Sequence, residues 1–260
     1  MNELERIIAR TREEVAARMA VRPQSEVEEA AALRLETDGP RRFAVALRAP
    51  GLSIIAEHKR RSPSAGVIRE NVELEDVVGA YERGGARALS VLTEQVGFGG
   101  TLEDLARARR AASLPILRKD FMVGEYQVFE AAAGGADAIL LIVAALTPDE
   151  LADLHALGNS LGLDVLVEVH DASELRVAAP LRPQIIGINN RDLTTLRVDL
   201  ERTFELLPGV PEGTLVVAES GLRTRADIER VNAAGVDAVL IGESLMRAED
   251  MEGALRALVQ

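Results

Sequence analysis

Three segments of the chain repeat one pattern: "GGARALSVLTE" from Gly84, "GGADAILLIVA" from Gly134 and "AGVDAVLIGES" from Ala234. Each joins a small-residue turn to an apolar run and then to polar groups. Glycine ahead of such a run suits a helix C-terminus, where a left-handed residue ends the last turn. An apolar run without alternation suits a strand covered on both faces, as in a parallel sheet. The unit is therefore helix, glycine turn, buried parallel strand. The starts lie 50 and then 100 residues apart, which is one and two pairs of βα units at roughly 25 residues each.

The intervening sequence predicts further strands over 53–59, 115–121, 164–169, 185–190 and 214–220, which with those starting near Ala88, Ala138 and Ala238 makes eight. Helical patterns run between them, such as "TLEDLARARRAA" and "TPDELADLHALGNSLG", in which Thr101 and Thr147 can cap the first turn. The expected fold is α/β: a (β/α)8 TIM barrel over residues 51–260 preceded by an N-terminal helical extension over residues 1–50, a single domain overall. A doubly wound open sheet is the alternative, but no G-x-G-x-x-G turn follows the first strand. The extension is rich in Arg and Glu, is broken by Pro23, Gly39 and Pro40, and is placed to cap the barrel or cover its mouth.

A formal charge of −12 argues against nucleic acid or an anionic membrane as a partner, since both need a broad basic face. An anionic small molecule is still allowed, held by local positive charge that opposes the overall field. Zero cysteines exclude disulfides, thiolate metal sites and a cysteine nucleophile. No apolar run reaches the roughly 18 to 20 residues of a membrane span, and "MNELERIIARTREE" is charged from its third residue, unlike a secretory leader. The expected setting is the cytoplasm, with the chain a monomer or weak homo-oligomer.

In a barrel of this kind the active site lies at the C-terminal ends of the strands, so polar residues that end apolar runs carry the most information. They are Glu57 and Lys59, Lys119, Glu168 and His170, Asn189 and Arg191, Glu219 and Ser220. Residues two apart on a strand share a face. Glu57 and Lys59 thus point together into the mouth while His58 and Arg60 turn away, and Lys119 pairs in the same way with Phe121, Glu168 with His170 and Asn189 with Arg191. For His58 and His170 the plain reading is packing or a loop hydrogen bond.

The lysines sharpen the site. Of 30 Lys and Arg residues only Lys59 and Lys119 are lysine. If strand ends make up roughly a twelfth of a barrel, two lysines placed at random both fall there with a probability on the order of 1%. Arginine stays protonated near neutral pH and cannot act as a general acid, whereas a partly desolvated lysine can. The plainer alternative is that each lysine neutralises a neighbouring carboxylate. On the last two strands, "AESGL" and "LIGES" place Gly221 and Gly242 just after apolar runs, where bare N–H groups can meet a phosphate. A phosphorylated small-molecule ligand is expected.

The motifs "IIAEHKRRSPSAG", "VLTE", "PILRKDF", "LLIVAALT", "LVEVHD", "IGINNRDL", "VAESGL" and "LIGESLM" together resemble the successive strand ends of the indole-3-glycerol phosphate synthase family, in order from about residue 50 to the C-terminus. The resemblance implies a tryptophan-pathway carboxy-lyase that closes the indole ring of a carboxyphenylamino-deoxyribulose phosphate, with loss of CO2 and water and without metal or organic cofactor. It implies that Lys119 is the general acid toward the ribulose carbonyl. Lys59 would hold the anionic groups and is a candidate acid for dehydration. Glu168 would be the general base and Glu57 an orienter or second base. Asn189 and Glu219 would bind hydroxyls, and Arg191 would support the neighbouring carboxylates. Ser62, Phe98, Phe121 and Leu140 match substrate-pocket positions; Ser220, Gly221, Gly242 and Glu243, with Lys59, match the phosphate cradle. The chain departs from the family pattern in the loop after the second strand, where "EQVGFGG" offers Gly97 before Phe98 in place of an aromatic pair, so looser ring packing is expected there. His58 also replaces a larger apolar or aromatic residue, but on the face turned away from the site.

Two other readings fit the lysines. One is a Schiff-base aldolase acting on a phosphosugar, with Lys119 as nucleophile. The other is a catalytically silent phosphosugar-binding barrel, against which the paired acid and base groups speak.

Overall fold

Eight parallel strands, β1 (Ser53–His58), β2 (Ala88–Leu92), β3 (Ile116–Lys119), β4 (Ala138–Ile142), β5 (Asp164–Val169), β6 (Ile185–Asn189), β7 (Leu215–Glu219) and β8 (Ala238–Ile241), pair in sequence order, and β8 returns to β1 to close a barrel. The computed structural model describes residues 2–193 and 195–259; Met1, Thr194 and Gln260 lie outside the described residues. Three helices precede the barrel: α1 (Glu3–Val21), α2 (Gln24–Thr37) and α3 (Phe43–Leu47). Between the strands run α4 (Leu74–Gly84), α5 (Leu102–Ala111), α6 (Glu125–Gly134), α7 (Pro148–Ser160), α8 (Ala172–Ala178), α9 (Glu201–Leu206) and α10 (Arg225–Ala233), and α11 (Glu243–Arg247) and α12 (Met251–Val259) close the chain. The fold is the (β/α)8 barrel that the repeated pattern predicts. Among the described residues no helix is long and apolar enough to cross a membrane.

Local chemistry sets these elements. Thr101 and Thr147 each accept from a backbone N–H in the first turn of α5 and α7, with Asp104 and Glu150 completing reciprocal capping boxes. The repeated glycine turn is left-handed in all three copies, with φ of 100° at Gly85, 95° at Gly135 and 93° at Gly235. Several strands end a residue or two before the predicted limit, so Lys59, Phe121, Asn190 and Ser220 stand just past the ladder. After β1 the backbone leaves the barrel for a two-rung hairpin, in which Arg61 faces Val67 and Ser62 faces Gly66.

Strand alternation divides the core in two. Ile55, Leu117, Leu140, Leu166, Val217 and Leu240 fill the barrel interior, while their neighbours Ile54, Ile116, Ile139, Val167, Ala218 and Val239 pack beneath the helices. The extension touches both ends of the inner core. Phe43, Ala44 and Leu47 of α3 join it from the N-terminal ends of the strands, where the Ala44 N–H donates to Asp164 (2.8 Å) and the Ser53 hydroxyl to the Leu47 carbonyl (2.9 Å). Ile7 of α1 joins it from the mouth, with Leu4, Phe98 and Leu193 beside it. Helix α2 lies along α6. Partly or fully buried ion pairs fix this segment to the barrel wall: half-exposed Arg18 to Glu130 (2.8 Å) and Arg34 to Asp137 (3.2 Å), with Arg109 on the same Asp137.

Candidate active site

The C-terminal ends of the strands surround one cavity, and the fifteen residues that the resemblance assigns to the site line it, whereas His170, expected on the same face as Glu168, does not. Lys59 Nζ is 2.6 Å from Glu57 Oε1, and both side chains are largely buried. Lys119 Nζ bridges two strands, 3.0 Å from Glu168 Oε2 and 3.3 Å from Glu219 Oε2. The Asn189 amide donates to Glu168 Oε1 (3.0 Å), and the Arg191 N–H donates to Asn189 Oδ1 (3.0 Å). The Arg191 guanidinium donates to the Leu196 carbonyl (3.1 Å) while lining the cavity.

Charge crowding separates these groups in acidity. Burial alone would lower the ammonium of Lys119, but Glu168, Glu219 and Glu57 outweigh it and hold the group protonated, well above its ordinary value. Burial would raise Glu168, yet Lys119, His170 and Asn189 keep it below the usual carboxylate range. Glu219 goes the other way: burial raises it, the nearby carboxylates Glu168 and Glu57 add to that, and Lys119 only partly offsets them. Two glutamates in one mouth are thus driven apart.

Two glycines make this crowding possible. A Cβ on Gly187 would stand 2.3 Å from Glu219 Oε1, and one on Gly242 would stand 2.5 Å from Glu57 Oε1. Gly242 thus clears space for a carboxylate besides preceding α11. Glu243, the first residue of α11, turns its side chain onto Arg247 (3.2 Å). After β7, Ser220 carries φ of +65°, an uncommon conformation for a non-glycine residue, and the Asn190 amide donates to its carbonyl (3.2 Å).

The apolar side of the cavity comes from Phe98, Phe121 and Leu140. Phe98 and Phe121 tilt against each other at 42° with centroids 6.4 Å apart, so the aromatic pair is made across two loops although Phe98 has glycine before it. In the β1 loop the Ala65 N–H donates to the Ser62 hydroxyl (3.2 Å). His58 faces outward as expected, and burial pushes its imidazole down to about 4. Arg60 also turns away, gripping Asp104 at the start of α5 through both terminal nitrogens.

Sequence reasoning missed several participants. Leu4 and Ile7 of α1 and Arg223 after β7 line the cavity; α1 carries an ordinary amphipathic pattern that names no partner. The role of Gly187 is invisible without the position of Glu219. His170 does more than pack, since it stands 3.2 Å from Glu168 Oε1 and 3.0 Å from Glu174 Oε2.

Comparison with known proteins follows the same lines. The family model described as Indole-3-glycerol phosphate synthase matches residues 4–258. An indole-3-glycerol phosphate synthase of Aromatoleum aromaticum is 48% identical over 262 residues, covering 98% of each chain. Indole-3-glycerol phosphate synthase 2 of Streptomyces coelicolor is 46% identical over 253 residues, covering 97% of each. Among solved structures, a mutant tryptophan synthase alpha-subunit from Pyrococcus furiosus superposes with a TM-score of 0.59 at 14% identity, covering 79% of this chain and 97% of that one. A thiamine phosphate pyrophosphorylase from the same organism gives 0.58 at 20% identity, covering 82% and 95%. At such identities these two speak for the fold alone.

Proposed function

The chain belongs to the indole-3-glycerol phosphate synthase family and is a carboxy-lyase of tryptophan biosynthesis; on that premise we propose how its cavity performs the ring closure. The substrate is a carboxyphenylamino-deoxyribulose phosphate, met in the cytoplasm by a monomer or weak homo-oligomer. Its phosphate lies against the backbone N–H groups of Ser220, Gly221, Gly242 and Glu243, with Lys59 and Arg191 as the nearby cations. Glu243 serves through its N–H, its side chain being engaged by Arg247. The anthranilate ring lies against Phe98, Phe121 and Leu140, on the apolar side of the cavity. Ser62 and the hydroxyl-binding Asn189 and Glu219 complete the contacts.

The aromatic carbon bearing the carboxylate attacks the ketone carbon, and Lys119 donates its proton to the carbonyl oxygen, which becomes a hydroxyl. The electrons of the carbon–carboxylate bond return to the ring as CO2 leaves. Lys59 then protonates the departing hydroxyl, and Glu168 takes a proton from the adjacent methylene as the indole double bond forms. Glu57 orients Lys59 and is placed to restore its proton. Two protons are given and one is taken, so each turnover draws one from solvent.

The observation that carries this reading is the placement of Lys119 between Glu168 and Glu219. Held protonated there, it carries a proton to give, although the carboxylates raise its affinity for that proton where burial alone would lower it; a Schiff-base nucleophile would need the free amine. Replacing Lys119 with Arg keeps the charge but removes the transferable proton. Turnover, followed by the ultraviolet absorbance of the indole product, is expected to fall by about a hundredfold or more. Near-normal turnover would sink the acid role. Borohydride with substrate should trap no covalent adduct, and an adduct would favour the aldolase reading.

A further inference from the structure

We propose that His170, clamped as an imidazolium between Glu174 and Glu168, is a positioning residue that keeps the Glu168 carboxylate ionised and aimed while Lys119 gives up its proton. The proposal rests on the reading of Glu168 as the base.

The geometry starts at α8. Asp171 caps that helix, its Oδ1 accepting from the N–H groups of Ser173 (2.7 Å) and Glu174 (2.9 Å). Glu174, in the first turn, reaches back, and its Oε2 accepts from the His170 N–H (2.7 Å) and lies 3.0 Å from His170 Nδ1. Backbone and ring of His170 are thereby held by a single carboxylate. The other ring nitrogen, Nε2, stands 3.2 Å from Glu168 Oε1. That approach is an ion-pair distance and not a hydrogen bond, so Nε2 has no hydrogen-bond partner among the described residues; with Nδ1–H given to Glu174, a lone pair on Nε2 would face the Glu168 carboxylate, which favours the doubly protonated ring. Burial opposes that charge, but Glu168 and Glu174 outweigh it and lift the imidazole to about 10.

Among the described residues no other group competes for the ring. Asp171 adds negative charge beside it. The segment Val143–Ala145, packed against β5 and α8, brings no titratable side chain. On the β6 side Asn189 is neutral, and Arg202 is spent on the Asn189 carbonyl (3.2 Å). Across the cavity Lys119 binds the opposite oxygen of Glu168.

That division of oxygens gives His170 its purpose. Glu168 keeps its charge in a buried site through two cations. When Lys119 passes its proton to substrate, one of them becomes neutral, at the stage before the base is required. His170 lies behind Glu168 and does not line the cavity, so it remains charged and the carboxylate neither recaptures a proton nor rotates.

The test separates the clamp from the role of Glu168. In enzyme labelled with 15N-histidine, one of the three rings should show the imidazolium signature at pH 8, and His170→Gln should abolish it, because burial lowers both His58 and His155. Three neutral rings at pH 8 would overturn the clamp. In kinetics, His170→Gln keeps a donor but loses the charge. Its kcat should fall about tenfold with KM little changed, and the acid limb of the pH–rate profile should move to higher pH. A folded variant with an unmoved limb would overturn the coupling. Glu174→Gln, altered farther from the cavity, should move the limb the same way by less; if His170→Gln does not fold, an unmoved limb in Glu174→Gln overturns the proposal instead. Glu168→Gln is the control: if it turns over normally, the reading of Glu168 as base fails, whatever the histidine signal shows.

Discussion

Glu219 is held in the cavity wall against its own chemistry. Its Oε1 has no hydrogen-bond partner among the described residues, and burial displaces its pKa upward. A carboxyl whose folded value exceeds its unfolded value of about 4.3 costs stability as pH rises above that point, and the full cost stands once pH passes the folded value. Glu219→Gln should therefore raise the melting temperature near pH 8 by about 2 to 4 °C, for a relief of order 1 kcal/mol, and give no gain near pH 4. Turnover should drop in the same variant, since a hydroxyl-binding group is altered. An equal gain at both pH values would show that charge is not the cause. Glu219, Lys119 and the other cavity residues were legible because strand parity states which side chains share a face, and because this chain uses lysine twice. Gly187 and His170 were not. Their roles depend on the approach of Glu219 and Glu174 across a loop or a neighbouring strand, and no periodicity encodes those distances.

Between elements, the mouth is shaped by a contact the sequence did not disclose. Glu94, buried after β2, accepts from the Gly97 (2.6 Å) and Phe98 (3.0 Å) N–H groups and pairs with Arg10 of α1. The loop that carries Phe98 is thus pinned by its own carboxylate, and that carboxylate by the N-terminal helix. Arg10→Ala leaves a buried carboxylate without its cation. It should loosen the Phe98 loop and raise KM by about three- to tenfold with a smaller effect on kcat, measured by steady-state kinetics. A change in kcat alone would place the contact outside substrate binding. Strands and capped helices were readable from the sequence because their signals are local: apolar runs, Thr caps and glycine turns. The partner of α1 was not, since an amphipathic stripe reports only that one face is covered.

Over the whole molecule, we propose that residues 1–50 and 51–260 fold as one unit, because the first span supplies both a floor and a cover for the second. Phe43 is fully buried in the inner core. Phe43→Ala should cost about 3 to 5 kcal/mol and lower the single melting transition of the whole protein. A separate, early transition confined to the extension would show that the two spans melt apart. The extension was recognised in the sequence as something able to cap or cover. That it does both follows from its path, which passes outside α6 between the two ends.

That path has a consequence for the order of synthesis. Residues 1–50 leave the ribosome before the barrel surfaces they bind: Arg10 waits for Glu94, Arg18 for Glu130, Arg34 for Asp137, and the Ala44 N–H for Asp164. The Ala44 N–H has no acceptor until Asp164 has been translated, and β1 closes only once β8 has been made. Residues 1–50 are thus made ahead of the surfaces they need, and the final geometry of the barrel is set from the middle outward.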